Sequence, residues 1–144
     1  MIPVYQRTGA KTGEPGDCFA ACLASLFHLS LDTVPNFNDG AKNGQPLPAA
    51  SSEALRDWLR PHECEYIELG FHLPSKEAML TQMQIATPNM FYLLIGRTGT
   101  YSIHSVVAKG GEILHDPATP VGQNSLRGPC HDGFWRVGFF PHLL

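Results

Sequence analysis

The period of the apolar positions changes along the chain. At 18–29, "CFAACLASLFHL" is almost wholly apolar and holds three alanines. Such a stretch reads as a helix buried on all sides, at the centre of the fold. Asp17 stands directly before it, where an N-cap belongs. "SLDTVPNF" at 30–37 reads as a short helical turn, capped by Ser30 and stopped at Pro35. In "SSEALRDWLRPH" at 51–62, Leu55, Trp58 and Leu59 recur at i, i+3 and i+4. That spacing predicts an amphipathic helix capped by Ser51 or Ser52. "SKEAMLTQMQ" at 75–84 predicts another, behind a Ser75 cap.

Elsewhere the pattern is that of strands. "CEYIELG" at 64–70 alternates between two faces. "MFYLLIGR" at 90–97 is a continuous apolar run, as in a buried strand. "YSIHSVVAK" at 101–109, Gly110-Gly111 and "EILHD" at 112–116 form a strand–turn–strand signal. "GFWRVGFF" at 133–140 predicts a last, aromatic strand. "IPVYQ" at 2–6 reads as a short strand or extended arm, with Pro3 favouring an edge. Residues 7–16 and 38–50 read as loops rich in glycine and proline. Helices come first and strands second. That segregation predicts an α+β fold, with helices on one face or end of an antiparallel sheet.

Composition narrows this picture. A chain of 144 residues, 43% hydrophobic and 16% charged, fits one folded domain. A net charge of −3 argues for neither nucleic acid nor an anionic membrane as partner. No apolar run approaches the ~18–20 residues of a membrane span. "MIPVYQRTG" lacks the basic and apolar regions of a signal peptide, so a cytoplasmic protein is expected. In that compartment Cys18, Cys22, Cys64 and Cys130 are expected as free thiols. No second closely spaced Cys/His pair completes a zinc site with Cys18 and Cys22, so neither metal nor cofactor is expected.

The candidate chemistry begins at Cys18. As the first residue of its helix it lies where the dipole and free N–H groups stabilise a thiolate. Cys22, one turn deeper, reads as an inert buried thiol beside a surface-poised Cys18. Taken alone, both also read as core cysteines. A nucleophilic thiol needs a base and the base an orienting group. Of the seven histidines, His28, His62, His72 and His142 fall at helix ends, in loops or at the terminus, and His131 falls in the "RGPCHDG" loop. His104 and His115 fall inside predicted strands. A two-residue turn at Gly110-Gly111 sets His104 opposite Pro117. A three-residue turn sets it directly opposite Asp116, with Cβ atoms ~4.5–5.5 Å apart, and a bulge has the same effect. His115 then points to the other face. Asp116 precedes Pro117, which ends the strand and makes a natural rim.

"GDCFAACLASLF", "IHSVVAKGGEILHDP" and the upstream "VYQ" together resemble the papain-like cysteine peptidases, nearest to the small C39-like kind seen in phage and bacteria. The match covers roughly 2–37 and 101–120. It implies a papain-like fold in which an N-terminal helix carries the cysteine against an antiparallel sheet. It implies Cys18 as nucleophile, His104 as base and acid, and Asp116 as orienter. It also implies that Gln6 donates to the oxyanion hole with the Cys18 N–H. The twelve residues from Gln6 to Cys18 exceed the usual family spacing, so the loop between must bulge out and return.

The expected activity is a thiol hydrolase cleaving an amide, peptide or isopeptide bond in a peptide or protein substrate. Its cleft would be built from loops 38–50 and 118–133. Acyl transfer and glutamine deamidation use the same residues. The alternative from a different class is an inactive papain-like module that binds a protein partner. The sequence carries no signal of oligomeric state.

Overall fold

A computed structural model describes residues 1–7, 16–37, 49–99, 103–119 and 125–141, with the backbone alone described at 49–52. Helix α1 spans Cys18–Phe27, followed by a single 3₁₀ turn at Leu31–Thr33. Helix α2 spans Ala49–Leu59 and runs into a 3₁₀ turn at Arg60–His62. Strand β1 (Ile67–Phe71) and helix α3 (Lys76–Ala86) come next. Then come β2 (Phe91–Arg97), β3 (Ile103–Lys109), β4 (Glu112–His115) and β5 (Trp135–Phe139). The strands form one antiparallel sheet in the order β1-β5-β2-β3-β4. The fold is α+β. Among the described residues, no helix is long and apolar enough to cross a membrane.

The helices lie on both faces of the sheet, where the sequence predicts one. Leu93, Ile95 and Val107 pack in one core with α1 and with Leu55 and Leu59 of α2. Tyr92, Leu94, Val106 and Ala108 pack in a second core with Met79 and Met83 of α3. Alternate residues of β2 therefore face different cores, and this explains its unbroken apolar run. Period alone could not say that α3 crosses to the far face.

Several ends also differ from expectation. Ser30 and Ser75 cap as predicted, accepting from the Asp32 and Ala78 amides. Helix α2 begins at Ala49, so Ser51 and Ser52 fall inside its first turn rather than before it. Residues 2–6 join no strand ladder. They form an extended arm stitched to α1 and to the end of β4. Ser25 takes the Val4 amide on its hydroxyl at 2.9 Å and the Ile2 amide on its carbonyl at 3.3 Å. On the other side, Gln6 N–H donates to the Pro117 carbonyl at 3.0 Å.

The β3–β4 hairpin decides the site's geometry. Its turn has two residues, with Lys109 paired to Glu112. Gly110 has φ +54°, and a Cβ there would lie 2.5 Å from the Pro88 carbonyl oxygen, so only glycine fits. Between Val107 and Ala108 the register shifts, so that Ile113 faces Ala108 but His115 faces Val107. Leu114 is thus the extra residue of a bulge. Continuing the His115 register by one sets Asp116 alongside Val106, two residues from His104 and on the same side of the strand. The directly opposed pairing predicted for a three-residue turn does not occur. The bulge restores the common face, and the side chains meet on the diagonal.

Candidate functional site

The predicted residues Cys18, His104 and Asp116 come together, and Gln6 lies beside them. Helix α1 packs its first turn against β3, which puts Cys18 next to His104. His104 Nε2 is 2.7 Å from Asp116 Oδ1, with both side chains buried. Cys18 and His104 are hydrogen-bonded through their side chains. With Nε2 on Asp116, Nδ1 is the ring nitrogen left available to the thiol. The order is thiol, imidazole, carboxylate.

Cys18 is only 4% exposed, which corrects the expectation of a surface-poised thiol. The His104 side chain and the Ser105 backbone lie within hydrogen-bond reach of it. Burial pushes the Cys18 thiol up, but its hydrogen bond and charge interaction with His104 outweigh this and hold it below the ordinary range. Burial likewise pulls His104 down, yet Asp116 and Cys18 together raise it to about 10. Asp116 meets the same desolvation, but His104, the Ala118 amide and Ser125 bring it to about 2. Cys18, His104 and Asp116 are thus each shifted toward their charged form.

Asp116 is held on both oxygens. Oδ1 also accepts the Ala118 amide at 2.9 Å, and Oδ2 accepts the Ser125 amide at 2.6 Å and its hydroxyl at 2.8 Å. The Ala118 bond is an Asx turn, legible in principle from "DPA". Ser125 carried no local signal, and sequence reasoning missed it.

Gly96 is the partner of His104 across β2 and β3. A Cβ on Gly96 would come within 2.6 Å of the Trp135 ring and 2.5 Å of the Gly128 carbonyl oxygen. Gly96→Ala must therefore displace either backbone or the fully buried Trp135.

Asp17 occupies the N-cap position, but its side chain makes no capping bond to the helix. Its Oδ1 accepts the Arg7 amide at 3.0 Å instead. This bond joins the arm to the start of α1 across ten residues. It brings Gln6 alongside the helix despite the long spacing to Cys18. Gln6 Oε1 is buried. The return path of the loop lies outside the described residues, as do 38–48 and 120–124 of the two predicted cleft loops.

His115 points elsewhere, as its register predicts. Its Nε2 donates to the Val4 carbonyl at 2.7 Å, and the Tyr5 ring stands edge-on to it at 4.9 Å. It fastens the arm. Cys22 donates to the Ser105 carbonyl at 3.4 Å. Burial and the nearby Cys18 and Asp116 charges raise it well above the ordinary thiol range. All four cysteines are free thiols. Among the described residues, no three His, Cys, Asp or Glu side chains gather in a way that could hold a metal ion. Compared with known proteins, the chain matches no family model, no curated protein and no solved structure.

Proposed function

We propose that this protein is a cysteine-dependent hydrolase of papain-like architecture that cleaves an amide, peptide or isopeptide bond in a peptide or protein. One observation carries the reading. A thiol at a helix N-terminus, an imidazole and a buried carboxylate are hydrogen-bonded in series, with the thiol shifted down and the imidazole up. A salt bridge between His104 and Asp116 alone would not suggest catalysis. The thiol on the other ring nitrogen does.

The Cys18 thiolate attacks the substrate carbonyl carbon, and a C–S bond forms. Negative charge moves to the carbonyl oxygen, where the Cys18 N–H and the Gln6 side-chain N–H donate to it. The imidazolium Nδ1–H passes its proton to the leaving nitrogen, and the C–N bond breaks. His104, now neutral, deprotonates a water that attacks the thioester. The acid product leaves, and the thiolate–imidazolium pair returns. An amine in place of water gives acyl transfer, and a glutamine side chain as substrate gives deamidation.

A second reading has its own observation. Cys18 and His104 are 4% and 5% exposed, a closed arrangement that suits a module retained for binding a protein partner. Comparing cleavage products from a proteome incubated with the wild type and with Cys18→Ala separates the two. Products that need Cys18 support the hydrolase, and identical peptide profiles refute it. On a substrate found this way, Gln6→Ala should lower kcat by roughly 100-fold while leaving Cys18 alkylation unchanged.

A further inference from the structure

We propose that Ser125 is a positioning residue of the site, one that locks the Asp116 carboxylate so that it can hold His104 in its charged, thiol-facing orientation. This rests on reading Cys18, His104 and Asp116 as the reacting group. The observation is the division of labour at the carboxylate. Oδ1 faces the imidazole, while Oδ2 is gripped twice by one residue, through the Ser125 amide at 2.6 Å and its hydroxyl at 2.8 Å. Rotating the carboxylate would break both Ser125 bonds together with the Ala118 bond.

Ser125 is itself well anchored. Leu126 is fully buried in the core with Val106 and Trp135. Arg127 N–H donates to the Arg97 carbonyl at 2.8 Å, and Arg97 N–H donates to the Gly128 carbonyl at 2.9 Å. The end of β2 therefore fixes the segment that fixes Asp116. Because Asp116 follows a bulge and precedes a proline, its own strand supplies little of this rigidity. Among the described residues, the titratable groups that bear on Asp116 are His104 from β3, Cys22 from α1 and, through His104, Cys18.

Removing the hydroxyl takes a donor from an ionised acceptor. Asp116 stays ionised, but its Oδ2 keeps only the Ser125 amide, so the carboxylate can turn away from His104. The imidazolium is then less favoured, and the Cys18 thiol titrates higher.

The test is the pH dependence of Cys18 alkylation by iodoacetamide, which requires no substrate. Wild type should show a reactive limb well below the pH of an ordinary thiol. Ser125→Ala should move that limb up by about one pH unit and slow alkylation on it roughly tenfold. Ser125→Thr, which keeps the hydroxyl, should restore the wild-type profile. Ser125→Gly repeats the comparison with the amide donor kept, should the alanine variant not fold. A wild-type limb in Ser125→Ala or Ser125→Gly overturns the role given to Ser125 and leaves the hydrolase reading intact. A wild-type protein with no low-pH limb overturns both.

Discussion

Cys18 and Cys22 are one turn apart on the same helix, both are buried, and their thiols are shifted in opposite directions. Burial therefore does not decide the direction in which each is shifted. Both lose water, and desolvation raises both. The difference lies in what each sulfur faces. Cys18 faces the His104 imidazole, which Asp116 shifts toward its charged form, and it stands in the first turn, where amide dipoles favour an anion. Cys22 faces the Ser105 carbonyl, an acceptor that stabilises the thiol and offers nothing to a thiolate. Cys64 and Cys130 are also raised, with burial the largest cause.

The strongest way to break this contrast is to remove the imidazole. His104→Ala should slow Cys18 alkylation at pH 6 by about 10- to 100-fold, making it resemble Cys22. It should also destabilise the fold by about 3–5 kcal/mol, because the buried Asp116 loses its charged partner. His104→Gln, which can still donate to Asp116, should recover part of the stability and none of the reactivity. Thermal melts and site-resolved mass spectrometry separate the two effects. Alkylation unchanged in both variants would mean that His104 does not set the Cys18 state.

Asp116→Asn should act more mildly on the thiol, by about tenfold at pH 6, because the imidazole remains but loses its carboxylate. Its signature is in stability against pH. Asp116 titrates lower in the folded protein, so its contribution is present above about pH 4 and is lost as pH falls toward about 2. His104 titrates higher, so its contribution is present below about pH 6.5 and is lost as pH rises toward about 10. One pair is responsible for both limbs. The melting temperature of wild type minus that of Asp116→Asn should peak between about pH 4 and 6.5 and decline on either side. A difference that stays flat from about pH 2 to about pH 10 would contradict the ion pair.

Cys22→Ala should have the smallest effect. It loses one sulfur–carbonyl contact and a small volume, about 1 kcal/mol, and should leave Cys18 alkylation within about twofold of wild type. A large change in Cys18 would show that the two thiols act as one group, ending the contrast.

Much of this was legible in the sequence, for reasons that differ by residue. The apolar run after Asp17 fixed the start of α1 at Cys18, because a helix apolar on all sides has few other places to go. The alternation around Gly110-Gly111 gave the hairpin and left the His104–Asp116 pairing to one unknown, the register. The bulge at Leu114 settled that, and bulges are backbone events that a pattern of side chains barely records. Asp17 was misread for a related reason. The residue type suits an N-cap, but a long-range partner, the Arg7 amide, takes the carboxylate. Ser125 was invisible, because its role comes from a contact across a loop and not from any local period. The burial of Cys18 has no local signal either, since it comes from tertiary packing around the helix start.

The account stands most directly on competitive labelling of the four cysteines in wild-type protein. With limiting iodoacetamide at pH 6, Cys18 should be modified at least about tenfold faster than Cys22, Cys64 or Cys130. Equal slow labelling of all four, or labelling of any other cysteine ahead of Cys18, would contradict it.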